Sequence, residues 1–508
     1  MLFNGGIGTY IKSEHESHVQ VGDKANDAIR INAPEVRAAV IGEGGNLGVT
    51  QLGRVEMSAK GVLVNTDFID NSAGVDCSDH EVNLKILLSQ PELAGELTRK
   101  QRNRLLASLT DQVASLVLAN NDRQAGALAM ASFEAQRSSM EAGRLIHWLT
   151  AQGELNPELE CIRTDSQPLT RPELAVLMAT EKNRLKRALV GLDQSPAMAK
   201  LAQDAFPPEV RKTFADEIKR HRLAPQLVAT QMANAMVHFL GVTIPYRLEQ
   251  LSGASPITIA KAFQVVRVVF KLDQKWDEIE TLPSAVTLET RRVLLARLSA
   301  MARRTTRWML RRHGEEIDVD ALIKTYQSGV DELIEAIPAV LRGAPEQHFC
   351  AFRDQWTEQG VPQTLASFLA ATPSLAAAPA VIEAAQETQT EIRWAADAFI
   401  VLGETLGLQQ FAHAVNALSV SNAWEARARD GLRDDIDRAY LQLIKEIAAF
   451  EGGAVDQRIQ VWISKKPKAI KQWNEILTAT VDGNSQSYPM MAVAGRSLTQ
   501  LAMATNNT

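Results

Sequence analysis

The sequence predicts an α/β segment at the start of the chain and a large all-α region after it. Three observations carry that prediction. Short β-branched runs bounded by glycines occur near the start, at residues 36–41 and 61–67, as buried parallel strands would read. Helix-start signatures followed by apolar residues at helical spacing dominate from Ser89 onward. Strand-like alternation is nearly absent after residue 90.

The elements follow in order. Met1-Leu2-Phe3-Asn4-Gly5-Gly6 reads as the end of a buried strand running into a glycine turn. Residues 36–41 are the next strand. They lead into a first corner, Glu43-Gly44-Gly45-Asn46-Leu47-Gly48-Val49-Thr50, and residues 49–60 suit a connecting helix. Residues 61–67 are a third strand, followed by a second corner, Asn71-Ser72-Ala73-Gly74-Val75-Asp76-Cys77-Ser78, with a helix expected from Ser78. Strand, small-residue turn and helix form a ligand-binding corner. The small side chains let backbone approach a flat ring or carboxylate, and a helix start offers free N–H groups.

Beyond the corners the grammar is helical. Ser89-Gln90-Pro91-Glu92 reads as a capping box opening a helix, with an apolar face from Leu93, Leu97, Leu105, Leu109, Val113 and Leu116. Thr170-Arg171-Pro172-Glu173 repeats the signal ahead of Leu174, Leu177, Met178, Leu185 and Leu189. Further helices are expected near 224–240, 256–271, 288–312, 318–341, 378–406 and 431–449. Residues 371–385, alanine-rich and broken by Pro373 and Pro379, read as a loop before a helix start. The division expected is 1–88, 89–345 and a C-terminal sub-bundle over 346–508. At roughly 150 residues per domain, 508 residues allow about three.

Composition narrows the partners. A net charge of -6 argues against nucleic-acid binding, which favours a basic excess. Three distant cysteines, Cys77, Cys161 and Cys350, allow neither a disulfide framework nor a CxxC metal pattern. That composition fits a reducing compartment, the cytoplasm. No run approaches the ~20 apolar residues of a membrane span, and the N-terminus lacks a signal-peptide pattern.

Several motifs have bland readings. Gly42-Glu43-Gly44-Gly45-Asn46-Leu47-Gly48 approximates GxGxxG, but Leu47 stands where the third glycine belongs. A true phosphate loop would precede Met1. Asp67, Asp70, Asp76, Asp79 and Glu81 with His80 read as helix caps and dipole partners, with no metal assigned. Cys77 reads as a small packing residue. Arg303, Arg304, Arg307, Arg311 and Arg312 around Trp308 read as a salt-bridging helix face.

The two corners resemble those of the glutamate dehydrogenase superfamily, whose cofactor domain has a Glu-Gly-Ala-Asn turn and, one helix and one strand later, Asn-Ala-Gly-Gly-Val followed by a serine. Here stand Glu43-Gly44-Gly45-Asn46 with Thr50, then Asn71-Ser72-Ala73-Gly74-Val75 and Ser78. Segments 3–12, 65–83, 169–175, 229–234 and 306–308 are similar to the large bacterial NAD-specific glutamate dehydrogenases.

The resemblance implies the C-terminal part of a Rossmann-like domain binding NAD. Asn46 and Asn71 would lie near the nicotinamide and its ribose, with Asn4, Gly5, Gly6, Gly44 and Gly45 bordering the cofactor. Val75 and Ser78 would face glutamate, Ser78 donating to its side-chain carboxylate. The family's catalytic lysine and aspartate precede the cofactor domain, so no catalytic residue is assigned in this chain. The expectation is a portion of a longer, homo-oligomeric enzyme that deaminates glutamate to 2-oxoglutarate and ammonia, inactive by itself. The alternative is a non-enzymatic helical scaffold or regulatory protein with a vestigial nucleotide corner.

Overall fold

In the computed structural model, described for residues 1–137, 140–164, 167–193, 195–450, 453–481 and 487–503, every strand among the described residues lies before residue 65. They are β1 (Leu2–Asn4), β2 (Ile11–Lys12), β3 (Ile31–Asn32), β4 (Val40–Glu43) and β5 (Leu63–Val64). β1, β4 and β5 form one parallel sheet with β4 in the middle, and β2 and β3 form a second parallel pair. Parallel neighbours need crossovers, and α2 (Gln51–Ala59) connects β4 to β5 as the sequence predicts. Thr50 caps it, its hydroxyl accepting from the Gly53 N–H at 3.1 Å. The small core beneath the strands gathers Ile11, Ala33, Ile41, Val49, Met57 and Val64.

β1 departs from expectation. It is a strand, but Leu2 and Phe3 are exposed rather than buried. It is an edge strand paired only with β4, and its side chains find no cover in the short three-stranded sheet.

The described chain separates into two compact units, residues 1–264 with 309–320, and residues 265–308 with 321–508. In the first unit the helices are α1 (His18–Val21), α2, α3 (Asp67–Asp70), α4 (Ser72–Leu93), α5 (Arg99–Ser108), α6 (Thr110–Arg137), α7 (Met140–Ala151), α8 (Arg171–Leu189), α9 (Pro196–Asp204), α10 (Pro208–Thr213), α11 (Ala215–Lys219) and α12 (Ala224–Ala235). A π-helical turn (Met236–Leu240) follows α12. Gly241 then bends the chain by 91° into the helix Ile244–Ser252 and continues to the helix Pro256–Val269.

α8 is the centre of this unit. Its start is the predicted capping box, with Glu173 accepting from the Thr170 N–H at 2.7 Å. Arg163 closes a fork on the same buried carboxylate at 2.9 and 3.0 Å. Residues 172–178 are all buried, and α8 packs on α12, α6 and α2.

Two helix starts differ from the sequence reading. No helix begins at Ser89, because α4 runs through it to Leu93 with Pro91 in its last turn. A proline there removes one hydrogen bond of a helix that is ending anyway. The next start is the capping box of Thr98 and Gln101, and Leu93, expected on an apolar face, is 88% exposed. Likewise α4 begins at Ser72, not Ser78, so the second corner is helical from its second residue.

Among its described residues the second unit has helices as its regular elements and no strand. Residues 371–385, expected as a loop before a helix start, do start a helix at Ala378, but residues 371–375 close the preceding helix instead of forming a loop. Gln363–Leu375 ends just past Pro373, and Ala378–Thr388 begins with Pro379 in its first turn. Pro379 sits in a first turn, where the missing N–H costs little; at Pro373, in a last turn, the Thr372 hydroxyl donates to the Leu369 carbonyl at 2.7 Å in place of the lost N–H, and alanine is the strongest helix former. The arginine face forms the expected bridges: Arg304 reaches Asp437 at 2.8 Å, and Arg307 reaches Asp430 at 2.9 Å. Trp308 is buried edge-on against Tyr326.

Two buried charge clusters generate predictions. Arg54, 3% exposed, forks on the fully buried Glu43 at 2.7 and 2.8 Å and lies 3.4 Å from Asp67. Removing one partner of a buried pair strands the other charge, at about 3–5 kcal/mol. Arg54→Met is expected to lower the urea midpoint of the first unit, and adding Glu43→Gln to recover part of the loss. An unchanged midpoint in Arg54→Met would contradict this reading.

In the second cluster, Glu181 and Glu249 share the Arg184 guanidinium, with Glu181 fully buried. Burial lifts Glu181 to about 7 against the pull of Arg184. The folded state therefore holds a proton that the unfolded state releases, so stability falls as pH rises from about 4.5 to 7. Glu181→Gln should flatten that slope in thermal unfolding across this range; an unaltered slope would rule it out.

Candidate functional site

The carboxyl ends of β1, β4 and β5 open on one edge, because all three strands are parallel. In open sheets that edge is where turns diverge and ligands bind. The turn after β4 folds back over the end of β1. The Asn4 carbonyl accepts from the N–H groups of Gly44 and Gly45 at 2.8 and 3.0 Å.

Two glycines are tightly confined, Gly45 by backbone and Gly48 by a side chain. A side chain on Gly45 would collide with the Gly6 carbonyl, and one on Gly48 with the Asn4 amide. The glycines expected to border a ligand thus bring two strand ends into backbone contact. Asn4 Nδ2 is buried there without a hydrogen-bond partner, as is Thr66 Oγ1 after β5.

Carboxylates from the neighbouring helix fix the turn. Asp67 accepts from the Leu47 N–H at 2.8 Å, and Asp70 from the Glu43 N–H at 3.0 Å. Asp70 also accepts from Asn65 Nδ2 at 2.6 Å. Glu43 accepts from the Val49 N–H at 3.0 Å, and the Leu47 carbonyl accepts from the Thr9 hydroxyl at 2.7 Å. These bonds hold Leu47 at φ 58°, a left-handed conformation that costs a branched residue energy. Its side chain is left exposed, as are those of Phe3 and Ile7.

Burial pushes the Glu43 carboxyl up from its ordinary range, and the Asp67 charge adds to this, while Arg54 and the Val49 N–H oppose it. The opposed effects show why Arg54 is needed: two acids hold the turn and one guanidinium compensates them.

The two corners meet through Asn71, whose Nδ2 donates to Asn46 Oδ1 at 2.7 Å. Asn4, Gly6, Gly44, Gly45, Asn46 and Asn71 therefore surround one turn, with Gly5 exposed beside them.

Ser78 sits deeper in its helix than the helix start expected there. With α4 starting at Ser72, Ser78 lies in the second turn, past the free N–H groups. Spacings of four and seven place Asn71, Val75 and Ser78 on one stripe of α4. Val75 and Ser78 are exposed, and among the described residues no hydrogen bond joins Ser78 to the corner.

The neighbouring chemistry is structural. His80 faces inward, Nδ1 meeting the Ala205 carbonyl at 2.9 Å, while Cys77 is exposed rather than packed. Among the described residues no cluster of metal-ligating side chains forms. The sequence named Asp67 but missed its bond to Leu47, and it missed Arg54. A carboxylate just after a strand and an arginine on the next helix were the available signals.

The comparisons fit this geometry. A family model described as "Bacterial NAD-glutamate dehydrogenase, catalytic domain" matches residues 1–131, and one described as "Glutamate dehydrogenase, C-terminal" matches residues 166–500. Three relatives are each named "NAD-specific glutamate dehydrogenase". The protein of Halomonas elongata is 40% identical over 99% of this chain, that of Pseudomonas aeruginosa 37% over 100%, and that of Mycobacterium tuberculosis 34% over 99%. The chain spans 32% of the length of each. Two family models thus cover the turn, the sheet and most of the helical region, and the chain belongs to the bacterial NAD-glutamate dehydrogenase family.

Proposed function

We propose that this chain is a portion of an NAD-dependent glutamate dehydrogenase that deaminates L-glutamate to 2-oxoglutarate and ammonia. The observation that carries the reading is the convergence of Asn4, Gly44, Gly45, Asn46 and Asn71 at the carboxyl edge of the parallel sheet. In this reading β1, β4 and β5 are the end of a Rossmann-like sheet within an NAD-binding segment over 1–88. A helical region over 89–345 and a sub-bundle over 346–508 follow. The complete enzyme is read as a cytoplasmic homo-oligomer. Among the described residues no single helix is long and apolar enough to cross a membrane.

The residues present fit NAD. The turn is stripped of side chains at Gly44 and Gly45, and Asn4 Nδ2 is a buried donor without a partner. Asn46 and Asn71 offer amides beside it. NAD, when bound, supplies the acceptor for the hydride released from the glutamate α-carbon. The chain's own share is to place the ring and hold the substrate. Ser78 donates its hydroxyl to the side-chain carboxylate of glutamate, a charge-assisted bond, and Val75 packs beside it. The lysine and aspartate that act on the α-carbon come from outside this chain, and hydride transfer requires both walls of the cleft.

Two outcomes test the reading. The 508-residue chain alone is expected to form no NADH from glutamate and NAD; measurable turnover would overturn the division of labour. In the longer dehydrogenase polypeptide carrying this segment, Ser78→Val should raise KM for glutamate by about ten- to a hundredfold, the worth of one bond to a charged group. KM for NAD should change little. Loss of NAD affinity with glutamate affinity intact would refute the assignment of Ser78.

A further inference from the structure

Apart from the corner, a cavity lies in the first unit, lined by residues of α3, α6, α8 and α12. It has a volume of about 180 Å³. That is below the roughly 300–1000 Å³ of drug-sized ligand pockets, too small for a dinucleotide and suited to a small acid or phosphate. Lys182, Asn183 and Lys186 line it from α8, Thr230 and Asn234 from α12, and Gln124 from α6. Phe68 and Ile69 of α3 close another wall.

Met178, Ala179 and Ala233 complete an apolar floor, and the polar groups of the lining have one chemical character. Two lysines four residues apart share a helix face, and the remaining polar groups are a hydroxyl and three amides that can all donate. No carboxylate is among the lining residues described. Lys182 Nζ lies 2.8 Å from His238 Nε2 in the π-helical turn after α12. The two nitrogens share one hydrogen bond, Lys182 donating to Nε2 when it is charged. This fixes the Lys182 head at the cavity and leaves its other protons free.

Among the described residues the side chains of Gln124, Asn183, Lys186, Thr230 and Asn234 take no hydrogen bond. Burial has already pulled the Lys182 ammonium down to about 7, a cost that an anion at hand would offset. The π-helical turn is a further sign, since single π turns inside helices are frequent at functional sites.

We propose that this cavity binds a small oxyanion, a carboxylate or a phosphate, with Lys182 and Lys186 supplying the charge and Thr230, Asn234 and Gln124 the neutral donors. Its walls include Phe68 and Ile69, which lie between the two carboxylates that fix the turn after β4, Asp67 and Asp70. An occupant would therefore touch the helix on which the corner is built. The site stands independently of the dehydrogenase reading.

Titration calorimetry tests it on the full 508-residue chain, with inorganic phosphate and succinate as separate probes and neither NAD nor glutamate present. At least one probe is expected to bind at one site per chain. Lys186→Ala, an exposed position whose replacement leaves the core intact, and Lys182→Met should each weaken binding by about tenfold or more, as loss of a charged donor does. Lys100→Ala, an exposed lysine on α5, should leave it unchanged. Binding of phosphate alone points to a phosphorylated ligand, and binding of succinate alone to a carboxylic acid. Failure of both probes would overturn the site. So would affinity that survives both cavity variants, or that falls equally with Lys100→Ala.

Discussion

The ion cluster of Glu43, Arg54 and Asp67 is the constraint on which the N-terminal architecture rests. Glu43 ends the central strand, Arg54 lies on the helix that leaves the turn, and Asp67 starts the helix after the next strand. Both carboxylates also bond backbone N–H groups of the turn. The cluster therefore ties strand, crossover helix and second corner to one loop. Two buried acids would repel without the guanidinium, and the guanidinium would be stranded without them.

That arrangement explains how a loop of small residues keeps one shape. Leu47 is held left-handed by an N–H bond at one side and a carbonyl bond at the other. The glycines on either side of it allow the contacts with Asn4 and Gly6. In the proposed reading, a turn already held this way would need little further ordering on binding a flat polar ligand. The charge that secures the turn is buried beneath it, away from the exposed amides of Asn46 and Asn71.

Much of this was legible in the sequence. The strand runs, the glycine turn, the connecting helix and the capping box at Thr170 are local signals, and local signals survive folding. The two corner motifs were legible as well, and in the structure their asparagines, Asn46 and Asn71, bond each other. What failed were judgments that depend on packing. Pro91 and Pro373 looked like boundaries ahead of new elements, yet each sits in the last turn of a helix that continues through it. Ser78 looked like a helix start because small residues precede it, yet Ser72 to Cys77 join the same helix. Glu43, the carboxylate that Arg54 forks on, lies 11 residues away in sequence and the His238 partner of Lys182 lies 56 away, and the spacing alone does not pair them.

The most direct measurement is a structure of the longer polypeptide that carries this segment, determined with NAD. Nicotinamide density is expected against the turn of Gly44, Gly45 and Asn46, within hydrogen-bond reach of Asn71 or Asn4. Density for NAD elsewhere, with this turn bare, would contradict that expectation.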